Sequence, residues 1–331
     1  MPPAKLTMLP EEFLRNTTPE IHPGAARADD AFVAFAHRMG IARSDRDAEV
    51  LRSFAFGVFT GRCYPALSQA QLDLLTQWHY WLTITDDVAD ATDQGGPREA
   101  TRLHHAILRA LTTAAPPADG GPAAVSLHDL WRRTAPAQSL QWRRRAHVDL
   151  ALYLRQYAEQ RRNRVVNRHL TPDEYRRLRR DSVGLDFNAD IVEAVHSIQI
   201  PEPLFATWQL RELRNCFVDA NSWFNDYYSF EREVHSGEQH NLALVLARHE
   251  NVEQDDALDR VLEMIQDRLQ EFLALERLLP YTLRTLGYDT SAITEVSRYT
   301  QALRDYTYGH VAWSATSSRY NELQLRATTW A

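Results

Sequence analysis

The chain has 331 residues, 44% hydrophobic and 24% charged, an ordinary globular balance with room for one large domain. Its formal net charge of −7 excludes nucleic acid as a generic partner, because there is no basic excess to neutralise phosphates. The only cysteines, Cys63 and Cys216, lack CxxC spacing; this excludes a cysteine-based zinc site and fits two buried small hydrophobes in a reducing cytoplasm.

No apolar run reaches the length of a membrane span, and the N-terminus lacks the apolar stretch of a signal peptide, so the expected location is cytoplasmic. Glycine is scarce, hairpin signals are absent, and Leu, Ala, Arg and Glu dominate, which predicts an all-α fold. Residues 1–24 are punctuated by proline and read as an N-terminal arm, a partly ordered lid. Residues 25–331 read as a single α-helical domain.

Along the chain, 69–84 is apolar and aromatic at three-to-four spacing and predicts a core helix. It runs into Asp86-Asp87-Val88-Ala89-Asp90 and then a loop signal at Asp93-Gln94-Gly95-Gly96-Pro97. The stretch 112–124 predicts a surface loop between two helices. Further helices are predicted over 139–163, 173–185, 205–234, 257–278 and 291–320, with a break at Pro201 and Pro203.

Asp86 and Asp90 share a helix face, and nothing cationic is spaced to pair with them locally. A divalent ion would remove that repulsion; a solvated helix end is the plainer alternative. Asn225, Ser229 and Glu233 stand at i, i+4 and i+8. Each step of four residues turns a helix by about 400°, so an amide oxygen, a hydroxyl and a carboxylate line up on one face. These hard oxygen donors suit Mg²⁺. Glu193-Ala194-Val195-His196 is a lone E-x-x-H element; di-iron bundles need two, so His196 reads as structural.

Asp86-Asp87-x-x-Asp90 followed by Asn225-Asp226-x-x-Ser229-x-x-Arg232-Glu233 resembles the paired metal motifs of bacterial class I terpene synthases. Arg179, 46 residues before Asn225, stands where that family places its diphosphate-sensing arginine, with Ser182 and Val183 in the linker and effector positions. Trp313 upstream of Arg319 and Tyr320 is similar to the family's terminal pattern. Arg232 departs from it, since many members carry lysine there.

The resemblance implies a single-domain terpenoid synthase-like helical bundle around a central cavity. It implies three Mg²⁺ ions held by Asp86, Asp87 and Asp90 and by Asn225, Ser229 and Glu233. Arg179, Arg232, Arg319 and Tyr320 would bind the diphosphate of a prenyl diphosphate substrate. Helical phase offers Trp78, Leu82, Thr83, Phe217, Asn221, Tyr306 and Trp313 as cavity lining. Chain size favours farnesyl diphosphate cyclised to a sesquiterpene, with geranylgeranyl diphosphate as the alternative and a C10 substrate after that. A homodimer is common in the family. A prenyl chain elongase, or a non-catalytic or ferritin-like metal-binding protein, are the competing readings.

Overall fold

The structure is a computed structural model that describes residues 9–15, 20–92 and 97–317; the side chains of residues 15, 86–92, 97, 99 and 236 fall outside that description. Among the described residues every regular element is a helix, with fourteen α-helices and three short 3₁₀ turns. None of these helices is long and apolar enough to cross a membrane.

The centre is α11 (Trp208–Ser236). Thr207 caps its first turn by accepting from Leu210 N, and Gly237 ends it at φ 75, a left-handed conformation that favours glycine. Leu213, Cys216, Phe217, Ala220 and Phe224 are fully buried along it. The long α13 (Gln254–Thr285) packs along one side of α11, and α14 (Thr290–Ser314) packs on another. Asp289 caps α14 by accepting from Ala292 N at 2.9 Å. The helix predicted to run to residue 320 ends at Ser314, while residues 318–331 lie outside the described residues.

Opposite lies α5 (Gln69–Thr92), whose Leu72, Leu75, Trp78, Tyr80 and Trp81 are all buried. Its backbone continues past residue 84 through the aspartate cluster without a break. Between α5 and α14 sits the short α4 (Phe56–Cys63). Gly309 of α14 permits that approach, because a Cβ there would stand 2.2 Å from Cys63 Sγ.

The helix predicted over 173–185 ends three residues early, at Ser182, and a further helix that was not predicted follows it. A capping box of Thr171 and Glu174 starts α9 (Pro172–Ser182), and α10 (Leu185–Val195) follows. The break is forced at Gly184, which sits at φ 72 and where a Cβ would press on the Tyr153 ring at 3.1 Å. Tyr153 belongs to α8 (Leu140–Val165), capped by Ser139. The predicted loop over 112–124 is shorter than expected, because α7 (Gly121–Thr134) begins within it with Pro122 in its first turn.

A buried ionic knot fixes α10 between α8 and α11. Asp190, fully enclosed, accepts from Arg145 Nε at 2.9 Å and from Arg214 Nη1 at 3.0 Å. Glu193 pairs with Arg145, and His196 Nδ1 lies 2.9 Å from the Val192 carbonyl with burial pulling its pKa down to about 4. The E-x-x-H element is therefore occupied by packing. In the arm, Leu9 and Phe13 are buried, and the Phe13 ring lies 5.6 Å from that of Phe272 on α13.

Candidate active site

The C-terminal half of α11 carries the oxygen donors. Ser229 is fully buried and gives its hydroxyl proton to the Asn225 carbonyl at 2.7 Å, which leaves its oxygen lone pairs for another partner. Glu233, one helical step further, accepts from Asn241 Nδ2 at 2.8 Å. Burial first, and the nearby Asp226 charge second, push the Glu233 carboxyl up to about 7. Asn241 also donates to the Asp226 carbonyl at 2.7 Å and caps α12 (Leu242–Glu250), so one amide ties the carboxylate to the chain that leaves α11.

Arg179 joins this set from α9. Its Nη2 donates to Asn225 Oδ1 at 2.7 Å and lies 2.8 Å from Asp226 Oδ1. Asp226 itself is fully enclosed: burial raises its pKa against the pull of Arg179, and its other oxygen accepts from Tyr175 Oη at 2.6 Å and from Leu242 N at 3.0 Å. Asp226 thus anchors Arg179 and the start of α12, while Asn225, Ser229 and Glu233 present oxygens on their own face. Arg232 Nη2 stands 3.4 Å from Glu233 Oε1 and is half-buried.

This donor set fits a hard cation. Three oxygen donors lie one helical step apart, and the carboxylate among them is held near half-charge by its surroundings, a penalty that a divalent ion beside it would remove. The side chains of Asp86, Asp87 and Asp90 lie outside the described residues, as do Arg319 and Tyr320.

A cavity of about 140 Å³ reaches from Arg179 and Asn225 into the molecule. Among the expected residues, Leu82, Thr83, Asn221, Tyr306 and Trp313 line it, together with Ser182 and Val183 at the α9–α10 break. Its aromatic wall is well braced. Trp313 donates Nε1 to the Phe54 carbonyl at 3.0 Å, and its ring lies 4.9 Å from Phe56 and 5.3 Å from Phe59. Tyr306 meets Phe59 edge-on at 5.3 Å. Such faces stabilise a passing cation by about 0.5–2 kcal/mol each without reacting with it.

Two expectations are corrected. Trp78 turns away from the cavity, packs against Trp81 and Phe187 and donates to Thr134 Oγ1 at 3.0 Å. Phe217 sits behind Tyr306, ring to ring at 5.3 Å, and does not line the cavity. Both are eight residues ahead of a motif residue, about 80° out of phase, whereas seven residues bring a side chain back within about 20°. His79, seven before Asp86, is accordingly the α5 residue that lines the wall. Phase offered that signal; Phe56, Phe59, Tyr153 and Asn188 also line the cavity, but tertiary packing brings them there and no motif marks them.

A second acidic cluster lies nearer the other end of α11. Donor atoms of Glu212, Cys216 and Glu271 come within 4.8 Å of one another. Arg268 already fills that role, with Nη2 2.9 Å from Glu212 and Nη1 2.6 Å from Glu271.

Comparison with known proteins gives the same picture. Residues 77–271 match the family described as terpene synthase family 2, C-terminal metal binding. Pentalenene synthase of Streptomyces exfoliatus is 27% identical over 90% of this chain and 89% of its own length. A 7-epi-alpha-eudesmol synthase of Streptomyces viridochromogenes, described as cyclising (2E,6E)-farnesyl diphosphate, is 26% identical over 90% of this chain and 88% of its own. Among solved structures, the linalool/nerolidol synthase of Streptomyces clavuligerus superposes with a TM-score of 0.81 at 26% identity, covering 89% of this chain and 97% of that one. With the oxygen-donor face of α11, the aromatic cavity and these matches together, the chain belongs to terpene synthase family 2 and is a class I terpene synthase.

Proposed function

We propose that this enzyme ionises farnesyl diphosphate with Mg²⁺ and cyclises the resulting carbocation to a sesquiterpene. The observation that carries this reading is Arg179, bonded to Asn225 and Asp226 where the metal-facing helix meets an aromatic-walled cavity. Asn225, Ser229 and Glu233 would hold one ion, and Asp86 with Asp87 and Asp90 the other two of three. Bound Mg²⁺ would supply the positive charge that stabilises the departing diphosphate.

The protein's own residues do the rest. Arg179, Arg232, Arg319 and Tyr320 give charge-assisted or hydroxyl hydrogen bonds to diphosphate oxygens. Arg179 comes from the last turn of α9, just ahead of the Ser182–Val183 break, so engagement of its guanidinium is passed directly to the cavity wall. Phe56, Phe59, Tyr306 and Trp313 exclude water and present ring faces to the cation. The C15 substrate is supported by the relative described as cyclising farnesyl diphosphate; geranylgeranyl diphosphate is the alternative. An arm over 1–24, docked by Leu9 and Phe13, and one catalytic domain over 25–331 complete the proposal, in a reducing cytoplasm that the two buried free thiols fit.

Incubation with C10, C15 and C20 prenyl diphosphates and Mg²⁺, with products read by gas chromatography and mass spectrometry, tests it. A cyclised C15 product is expected. No diphosphate release from any substrate, or a longer linear prenyl chain, contradicts it.

A further inference from the structure

Two pairs of polar side chains interrupt the apolar cavity wall, and only one is satisfied. Asn221 donates Nδ2 to Thr307 Oγ1 and to the Phe217 carbonyl, each at 2.9 Å, and its Oδ1 lies 3.0 Å from His310 Nδ1. The second pair is His79 on α5 and Asn188 on α10, 3% and 1% exposed. Thr60 Oγ1 lies 2.8 Å from His79 Nδ1 and donates its proton to the Phe56 carbonyl at 2.8 Å. A hydroxyl has one proton to give and that carbonyl can only accept, so Nδ1 carries the ring proton and Nε2 presents a lone pair.

Among the described residues that Nε2 has no hydrogen-bond partner, nor has either side-chain atom of Asn188. Asn188 is near enough to the imidazole to raise its proton affinity as a hydrogen-bond donor would, yet neither of its side-chain atoms reaches full hydrogen-bond geometry. Both side chains line the cavity. A hydrocarbon chain offers nothing to a lone pair, an amide N–H and an amide oxygen. Buried polar groups of this kind are ordinarily satisfied by the protein or by an ordered water with two to four partners.

We propose that His79 and Asn188 hold a water molecule in the cavity wall and that this water captures the carbocation, making the product a terpene alcohol. The inference rests on the reading of the cavity as the place where a prenyl cation forms. Asn188 Nδ2–H donates to the water oxygen, and the water donates one proton to His79 Nε2, which leaves an oxygen lone pair for the cation. The new C–O bond forms from that lone pair. The protonated alcohol then passes its extra proton to Nε2, and the imidazolium returns it to the released diphosphate or to bulk water on opening. The balance is prenyl diphosphate plus water giving alcohol plus diphosphate. Burial pulls the His79 pKa down to about 3, so the imidazole stays neutral and available at any working pH, and a protonated alcohol is acid enough to transfer its proton to it. His79 accepts the proton; Asn188 positions the water.

The test is turnover of farnesyl diphosphate by the wild-type enzyme in ¹⁸O-water, with product partition also read for His79→Phe and Asn188→Leu. The expected result is an alcohol carrying one ¹⁸O, with the alcohol-to-hydrocarbon ratio falling at least about tenfold in either variant. That ratio is internal to each reaction and does not depend on overall rate. Diphosphate release with hydrocarbon products only, or variants that keep the wild-type ratio, overturns the proposal and leaves the cyclase reading standing. No diphosphate release from any prenyl diphosphate overturns both. If the variants do not fold, a high-resolution crystal structure of the wild type decides: a water within hydrogen-bond distance of His79 Nε2 and Asn188 supports the assignment, and an empty contact overturns it.

Discussion

Near the N-terminal end of α11, Glu212 and Cys216 face Glu271 of α13, with donor atoms close enough to share an ion. Toward its C-terminal end, Asn225, Ser229 and Glu233 form the second set. The two regions share a helix and similar side chains, but their surroundings differ. At the first, Arg268 reaches Glu212, Glu271 and Asp219, the last at 3.0 Å, and Arg180 pairs with Asp219 at 2.7 Å. Burial pushes the Glu212 carboxyl up, but hydrogen bonds from Asn215 and Arg268 outweigh it and hold the group below its ordinary value. At the second, burial and Asp226 drive Glu233 up to about 7. Clustered oxygen donors do not define a metal site. The difference lies in Glu233, whose carboxyl stays raised even with Arg232 3.4 Å away.

The largest effect that would break this comparison is on turnover. Asn225→Ala should lower diphosphate release from a prenyl diphosphate by at least about 10³-fold, and Cys216→Ala should leave it within about twofold. Equal losses in both would erase the distinction. Arg268→Ala should act in the opposite sense, costing about 3 kcal/mol in denaturant unfolding because Glu212 loses its counter-charge and Asp219 is left with Arg180 alone, while turnover per folded molecule is kept.

A smaller effect is one of pH. Glu233 is a carboxyl whose folded value, about 7, lies above its ordinary 4.5. The folded state therefore holds the proton more tightly than the unfolded chain. The contribution is fully present below about pH 4.5 and lost as pH rises through about 7. In chelator, the metal-free protein should lose up to about 3 kcal/mol of stability across that window, and Glu233→Gln should flatten the slope. Glu212 is shifted the other way, so its contribution is lost on acidification instead, and Glu212→Gln should leave the slope between pH 4.5 and 7 in place. The smallest effect concerns Arg179→Lys, which keeps the charge but loses the planar guanidinium whose Nη2 reaches both Asn225 and Asp226. Turnover should drop by about 10–100-fold with the thermal midpoint nearly unchanged.

Much of this was legible in the chain because periodicity is local. The i, i+4, i+8 spacing of Asn225, Ser229 and Glu233 puts them on one face whatever surrounds α11, whereas the bond that Arg179 makes to Asn225, 46 residues on, is a tertiary contact that no spacing announces. What escaped was set by tertiary structure or by a single residue. Gly184 splits a continuous helical pattern at its positive φ, which no apolar spacing announces. Trp78 and His79 both stand two turns ahead of Asp86, and helical phase aims the indole at Thr134 and the imidazole at the cavity. Phe56 and Phe59 reach the wall only because Gly309 lets α4 approach α14. Arg268 defeats the other acidic cluster from a different helix, 56 residues away from Glu212.

The most direct measurement is anomalous diffraction from crystals grown with Mn²⁺ in place of Mg²⁺ and inorganic diphosphate. The account predicts a metal peak within bonding distance of Asn225 Oδ1, Ser229 Oγ and Glu233, and none between Glu212, Cys216 and Glu271. A peak at the Arg268 cluster with none beside Glu233 would contradict it.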